Sequence, residues 1–213
     1  KISDYAKKNK INFIDTAKSY KNSEETIGKN FNELNIITKI KIVTKKNSYS
    51  ENLILKQLED SLIKAKKNRI YAVLIHNIDT LSKSKFFKVL KILKEFKKQK
   101  KTKYIGISIY EPKDIFSFWK YWKPDVIQVP YNIFDRRIET SGWLKKFKKY
   151  NVKVHLRSIF LQGLLITPNV KLPNKLHVLE KNLNYWFDWC KENNKNPLEE
   201  CFKLALSTNA HKM

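Results

Sequence analysis

Segment 11–20 of the chain, INFIDTAKSY, is an apolar run that ends beside two titratable side chains. Ile11, Phe13 and Ile14 give the segment the character of a buried strand, and Asp15 and Tyr20 lie at its end and just beyond. An apolar strand that stops at an acidic residue delivers that residue to the rim of a parallel sheet or barrel. The segment therefore predicts a chemical site at such a rim, provided that other strands end in matching groups.

The rest of the chain alternates apolar strand patterns with amphipathic helix patterns. Predicted strands cover residues 11–16, 36–43, 70–75, 104–109, 126–130 and 152–160, with helical periodicity in most of the intervals. Strict βα alternation, without a Gly-rich GxGxxG turn after any strand, favours a (β/α)8 TIM barrel over a Rossmann sheet.

The length of the chain limits how much of such a barrel is present. A (β/α)8 barrel takes about 250 residues, whereas the 213 residues here supply about six βα units. We therefore predict one incomplete α/β barrel domain over residues 1–213. We expect the first strand to lie before Lys1, where no initiator Met stands, and the last βα unit to follow Met213.

The composition is globular and strongly basic, with 42% hydrophobic residues and a net charge of +24. Taken alone, this charge suggests a nucleic-acid or other anionic partner. The lysines, however, are spread over several segments, and abundant Lys, Asn and Ile beside only 4 Gly and 6 Pro indicate a compositional bias. Nucleic-acid binding is therefore the weaker prediction. No apolar run approaches the roughly 20 residues that span a bilayer, so no membrane partner is predicted.

Cys190 and Cys201 are the chain's 2 cysteines, too few for a disulfide framework. They form no CxxC motif and have no paired histidines, so no metal site is predicted. Reduced thiols and the lack of a signal peptide ahead of the first predicted strand indicate a cytoplasmic protein.

Four polar residues, Asp15, Tyr20, Lys39 and His76, lie at or just after three successive predicted strands. Each has an ordinary explanation on its own: a turn cap, one aromatic among many, one of 44 basic residues and a buried histidine. Their order along successive strand ends is harder to explain by composition, because such ends converge on one barrel rim.

The four residues together suit proton delivery to a carbonyl oxygen. An ammonium beside Tyr20 would favour the phenolate and bring the phenol, with a reference pKa of about 10, closer to a working general acid. Asp15 would hold Lys39 in place, and His76 would orient the carbonyl oxygen. The hydride must come from a cofactor, because no side chain supplies one.

These motifs resemble the aldo-keto reductase superfamily over nearly the whole chain and in the right order. Segment 11–20 with SEETIG at 23–28 is similar to the family's signature, ITK at 37–39 to its lysine strand and LIHN at 74–77 to its histidine strand. Three further segments resemble cofactor-side strands and loops: IGIS at 105–108, IQVPYN at 127–132 and RSIFLQG at 157–163.

The resemblance implies an NAD(P)H-dependent reductase that converts an aldehyde or ketone to an alcohol, with Tyr20 as the proton donor. Lys39 and Asp15 would tune Tyr20, and His76 would orient the substrate. The implied cofactor-binding residues are Asp15, Ser108, Gln128, Arg157, Ser158, Phe160, Gln162 and Gly163. The cofactor would be NADP(H), with NAD(H) open, because the 2′-phosphate contacts belong to the absent last βα unit. Segment 157–165 also resembles reductases of sugar-like carbonyls, which hints at the small-molecule carbonyl substrate.

Three residues depart from the family pattern. Lys21 replaces the usual glycine after the tyrosine, Ile109 stands where many members have asparagine, and Arg157 stands where many stack an aromatic ring on the nicotinamide. Two alternatives remain: a barrel that binds nucleotide without turnover, and a basic nucleic-acid-binding protein. We also expect an isolated piece of this length to be inactive, because an open barrel exposes strand edges.

Overall fold

The computed structural model describes residues 2–31, 33–42, 50–208 and 210. The chain divides into two compact units, Lys1–Gln128 and Val129–Met213. Among the described residues, no helix is both long and apolar enough to cross a membrane.

The first unit alternates short strands with helices. After α1 (Ile2–Lys8) come β1 (Phe13–Asp15), α2 (Ser23–Asn30), β2 (Asn35–Ile40), α3 (Glu51–Lys64), β3 (Ile70–Ile75), α4 (Lys83–Lys98), β4 (Thr102–Ser108), α5 (Phe116–Trp119) and β5 (Val126–Pro130), which crosses into the second unit. The Ser50 and Ser82 hydroxyls accept from backbone amides in the first turns of α3 and α4, so a side-chain cap starts each helix.

The second unit continues with α6 (Arg137–Thr140), α7 (Trp143–Lys149), β6 (Lys153–Arg157), α8 (Glu180–Glu192) and α9 (Pro197–Ser207). Pro197 stands at the start of α9, where its missing N–H costs nothing. Buried Leu165, Leu183 and Trp186 form an apolar cluster with both cysteines.

Among the residues that the structure describes, the sheet contains six strands in chain order, β1-β2-β3-β4-β5-β6. From β1 to β5, each strand pairs in parallel with the next. This order, with a helix between successive strands, confirms the predicted fold class: six strands of an incomplete (β/α)8 barrel. The prediction of a single domain stays a prediction.

The register of the first five strands places the predicted site residues on one face of the sheet. Side chains two residues apart share a face, and the pairing sets Ile37 beside Asp15, Lys39 beside Leu74, and Ser108 beside Gln128. Below the site, the same face is apolar, with Ile37, Ala72, Leu74 and Val126 in one buried cluster. The polar site residues therefore lie at the carboxyl ends of the strands, next to a layer of buried apolar side chains.

Several predicted boundaries need correction. The strand predicted over 152–160 ends at Arg157, because Ser158 has a φ of +58°, which an extended strand does not accommodate. Between β5 and β6, the helical segment is interrupted at Gly142, whose φ is +76°, and forms the two helices α6 and α7. Strand 36–43 ends at Ile40, and Val43 lies outside the described residues.

Candidate active site

Lys39 and Asp15 form an ion pair between β2 and β1. The Lys39 Nζ donates to Asp15 Oδ2 at 2.5 Å and to the Thr16 carbonyl at 2.7 Å. The Lys39 side chain is only 2% exposed, whereas Asp15 is 42% exposed. A buried ammonium is costly unless it is paired and hydrogen-bonded, and these two acceptors meet that need.

The loop that carries Tyr20 is held to the end of β2. The Thr16 amide donates to the Ile37 carbonyl at 2.8 Å and the Lys18 amide to the Lys39 carbonyl at 2.9 Å, so the strand ladder continues past Asp15. A turn from Ala17 to Tyr20 follows, with a 2.9 Å backbone bond. The Lys39 Nζ then lies 5.4 Å from the centroid of the Tyr20 ring. The ring is 47% exposed, so it can reach both the ammonium and a ligand.

Lys21, the departure from the family's glycine, has a φ of +45°. Few side chains adopt this left-handed conformation, and glycine does so without strain. Lys21 therefore adopts, next to Tyr20, a backbone conformation that glycine would accommodate without strain.

A second buried network supports this loop from the helix side of β2. The Thr38 hydroxyl donates to Glu24 Oε1 at 2.7 Å, and Glu24 is 5% exposed. Lys18 Nζ lies 3.6 Å from the other Glu24 oxygen and 3.4 Å from Asp60. Thr38 and the loop that carries Tyr20 thus share one anchor, Glu24 on α2, and Lys18 adds a second contact to Asp60 on α3.

His76 directly follows β3 and faces Tyr20. The two ring centroids are 6.2 Å apart with planes at 84°. The Ser19 hydroxyl lies 3.5 Å from His76 Nδ1. Behind the histidine, the Asn77 side chain accepts from the Ile42 amide and donates to the Ile42 carbonyl, each at 2.9 Å. This pair of bonds ties the end of β2 to the residue after His76.

Ser108 and Gln128 extend the site across β4 and β5. The Ser108 hydroxyl donates to Gln128 Oε1 at 3.2 Å, and Gln128 Nε2 donates to Asp15 Oδ1 at 3.0 Å. Both side chains are nearly fully buried. One continuous hydrogen-bonded chain therefore runs from Lys39 through Asp15 and Gln128 to Ser108. Ile109, at the family's asparagine position, is buried and contributes its backbone amide to the Gln128 carbonyl.

The remaining predicted cofactor residues lie in the second unit, at and after the end of β6. Positive φ angles occur at Ser158, Leu161, Gln162 and Gly163, within six residues. Backbone strain of this kind concentrates at ligand-binding loops, and left-handed residues beside helical ones turn successive N–H groups into anion-binding concavities. Arg157 donates to the Ser158 hydroxyl at 3.3 Å, and the Phe160 ring packs edge-on against Phe202.

The two tryptophans of α8 pack against each other. The Trp186 and Trp189 rings stack 5.6 Å apart at 14°, and the Trp186 indole N–H donates to the Leu165 carbonyl. Both also line a cavity of about 300 Å³. In the described part of the chain, no cluster of three or more His, Cys, Asp and Glu could hold a metal ion.

The structure thus brings together the six predicted residues of the first unit: Asp15, Tyr20, Lys39, His76, Ser108 and Gln128. The other five, Arg157, Ser158, Phe160, Gln162 and Gly163, occupy one segment of the second unit. Sequence reasoning missed Ser19 and the Thr16 carbonyl. Ser19 could have been found as a hydroxyl beside Tyr20, whereas a carbonyl acceptor leaves no residue-type signal.

Comparison with known proteins identifies the family. The sequence profile of the aldo/keto reductase family matches residues 1–211, so the chain belongs to that family. Among curated proteins, none matches the chain.

Solved structures show the same fold. An aldo-keto reductase from Bacillus halodurans, in its holo form, is 26% identical with a TM-score of 0.65 over 81% of this chain and 60% of its own. The glycerol dehydrogenase of Gluconobacter oxydans is 22% identical with a TM-score of 0.75, over 98% of this chain and 72% of its own. An aldo-keto reductase solved with NADPH is 18% identical with a TM-score of 0.71, over 100% of this chain and 67% of its own.

The chain spans 60% of the length of the Bacillus halodurans structure that it matches. At the level of the family, the predicted membership of the aldo-keto reductases is confirmed. The activity of the whole protein and the role of each residue are matters of proposal.

Proposed function

We propose that this protein reduces an aldehyde or ketone to an alcohol with NADP(H), and that Tyr20 donates the proton. The observation that carries the proposal is the position of the buried Lys39 ammonium. It is bonded to Asp15 at 2.5 Å and lies 5.4 Å from the Tyr20 ring, which His76 faces from the next strand. An ammonium, a phenol and an imidazole from successive strand ends suit transfer of a proton to a carbonyl oxygen.

Each residue has a distinct task in this proposal. Tyr20 gives its hydroxyl proton to the carbonyl oxygen as that oxygen gains electrons. The Lys39 ammonium stabilises the phenolate that remains, and Asp15 keeps the ammonium in position. His76 hydrogen-bonds the carbonyl oxygen and so orients the substrate toward Tyr20. Burial of Lys39 strengthens these interactions, because the surrounding dielectric is low.

In each unit taken by itself, the residues present fit one part of a nicotinamide dinucleotide. Ser108 and Gln128 offer hydroxyl and amide groups that would hold the carboxamide, beside Asp15. Segment 158–163 would receive the pyrophosphate through backbone N–H groups other than those of Leu161 and Gly163, which donate to the Ser158 and Phe160 carbonyls. The residues proposed for this site are Arg157, Ser158, Phe160, Gln162 and Gly163. When bound, NADPH supplies the hydride.

The proposed partner is a small carbonyl compound, with sugar-like carbonyls as the first candidates, and the proposed location is the cytoplasm. Tyr20 is half-exposed, so a small substrate can reach it from solvent. Both cysteines are buried thiols, which suits a reducing compartment.

The test is NADPH oxidation by the full-length protein over a panel of aldehydes, ketones and aldoses. Removal of the acid in Tyr20→Phe should lower kcat by about 10²–10⁴-fold, with little change in the Kd of NADPH. Tyr5→Phe is the matched control, because Tyr5 is exposed on α1.

The alternatives predict other outcomes. Turnover by Tyr20→Phe at the rate of the unmodified protein would refute the assigned acid. NADPH binding without turnover of any carbonyl would support the nucleotide-binding barrel. Tight DNA or RNA binding that falls steeply with salt would support the nucleic-acid alternative.

A further inference from the structure

We propose that Gln128 is a positioning residue for the catalytic pair, in addition to the cofactor contact expected of it. Its side chain links the Asp15 carboxylate to Ser108, so that occupation of the carboxamide site acts on Asp15 and Lys39. This inference rests on the proposed function, because it assigns a second task to a residue of the same site.

The bonds of the Gln128 amide define its orientation. Asp15, as a carboxylate, only accepts hydrogen bonds, so the group that faces it at 3.0 Å must be Nε2. The opposite amide orientation would set Oε1 against the carboxylate. Oε1 then accepts from the Ser108 hydroxyl at 3.2 Å. Ser108 and Asp15 thus bind opposite ends of one amide.

Burial restricts how Gln128 and Ser108 can replace a lost hydrogen-bond partner. Gln128 is 3% exposed and Ser108 is 2% exposed, so neither side chain can replace a lost partner with bulk water at low cost. Asp15 uses Oδ1 for Gln128 and Oδ2 for Lys39. Gln128 therefore fixes the rotation of the carboxylate that holds the ammonium.

This arrangement has a consequence for cofactor binding. A carboxamide held by Ser108 and Gln128 must share or replace the bonds that Gln128 makes now. The change reaches Asp15 directly and Lys39 through Asp15. A residue that only holds the cofactor would alter cofactor affinity, whereas a positioning residue also alters the chemical step at saturating cofactor.

The first experiment compares Gln128→Met with Ser108→Ala in the full-length protein. Both variants should raise the Kd of NADPH, measured by tryptophan fluorescence quenching. At saturating NADPH, Gln128→Met should lower kcat by about tenfold or more, as for lost orientation of a catalytic group, and alter its pH profile. Ser108→Ala should lower kcat less than Gln128→Met does, because the bond from Gln128 Nε2 to Asp15 remains. Gln99→Met is the matched control, because Gln99 follows α4 and donates to the exposed Glu95.

The second experiment needs no turnover. The side-chain carboxyl ¹³C resonance of Asp15 is followed while NADPH or 2′-phospho-ADP-ribose, which lacks the carboxamide, is added. In the unmodified protein, NADPH should shift the resonance more than the truncated ligand does. In Gln128→Met, the two ligands should have equal effects.

The outcomes separate this inference from the proposed function. Equal shifts with both ligands in the unmodified protein, or a carboxamide-specific shift that persists in Gln128→Met, would overturn the coupling alone. An unchanged kcat for Gln128→Met at saturating NADPH would do the same. Failure of both ligands to bind would overturn the proposed function as well.

Discussion

The Lys39 ammonium and the Asp15 carboxylate are bonded at 2.5 Å, yet only the ammonium is buried. Lys39 is 2% exposed and Asp15 is 42% exposed, so water can solvate one partner and not the other. The two halves of this ion pair therefore differ in what their removal does to folding.

Removal of Asp15 should destabilise the protein more than removal of Lys39. Asp15→Ala leaves a buried ammonium that keeps the Thr16 carbonyl as an acceptor but has lost its carboxylate, and it should cost about 1–3 kcal/mol. Lys39→Met leaves the Asp15 carboxylate exposed to water, so the variant should lose less free energy of unfolding. It should nevertheless lose its activity. Urea unfolding of both variants checks this order, and equal losses would contradict it.

The strained backbone at Lys21 predicts that replacing this residue with glycine will stabilise the protein. Its φ of +45° is strained for lysine and relaxed for glycine, so Lys21→Gly should raise the free energy of unfolding by about 0.5–1 kcal/mol. The control is Lys91→Gly in the middle of α4, where the same change should cost about 1 kcal/mol. Thermal unfolding should show a higher Tm for Lys21→Gly and a lower Tm for Lys91→Gly. A lower Tm in both variants would refute strain at Lys21.

The close packing around Gly106 leaves no room for a side chain between β4 and β5. A Cβ at this position would overlap the Val126 carbonyl oxygen and lie 2.8 Å from a Leu74 methyl group. Gly106→Ala should therefore force β4 and β5 apart and cost about 3 kcal/mol or more. Gly142→Ala, which meets nothing within 4 Å but has a φ of +76°, should cost only about 1 kcal/mol. Denaturant titration distinguishes the two, and equal costs would contradict the clash.

Tyr131 gives a prediction at alkaline pH. Burial, together with the hydrogen bond to Glu139 at 2.8 Å, raises the pKa of Tyr131 to about 12. A folded pKa above the unfolded value of about 10 means that stability is lost as pH rises from 10 toward 12, by about 1.4 kcal/mol per unit at most.

Tyr131→Phe should remove this alkaline loss. At pH 7 the variant should be less stable by about 1–2 kcal/mol, because Glu139 loses the Tyr131 donor and keeps only those of Arg136 among its side-chain partners described here. Between pH 9 and pH 11, its deficit relative to the unmodified protein should shrink. Tyr185→Phe, at a 74% exposed position, should show no such pH dependence. A deficit of Tyr131→Phe that stays constant with pH would contradict the prediction.

Hydrophobic periodicity predicted the regular elements well. The strands predicted at 70–75 and 126–130 have the observed limits, Ile70–Ile75 and Val126–Pro130. The end of β6 was wrong, because apolar Ile159 and Phe160 continue the pattern after the backbone has left the extended region at Ser158. A residue pattern reports side-chain burial, whereas a left-handed φ at serine has no compositional signal.

The site was predictable where strand ends define it. Asp15, Lys39 and His76 were inferred from the ends of three successive strands, since such ends converge in any parallel barrel. The bond between Gln128 and Asp15 joins residues 113 positions apart. Its existence depends on strand register and side-chain rotamers, which single-sequence patterns do not contain.

The sequence alone determined the βα alternation, the family resemblance and the residue types at the rim. Each of these depends on local periodicity or on a short motif. The tertiary structure decided the partners of those residues. It buried Lys39 while leaving Asp15 partly exposed, gave Lys21 a left-handed φ of +45° and linked Asp15 to Ser108 through the Gln128 amide. Burial and hydrogen bonding of this kind arise only when distant strands meet, and they set the energies on which the proposed chemistry depends.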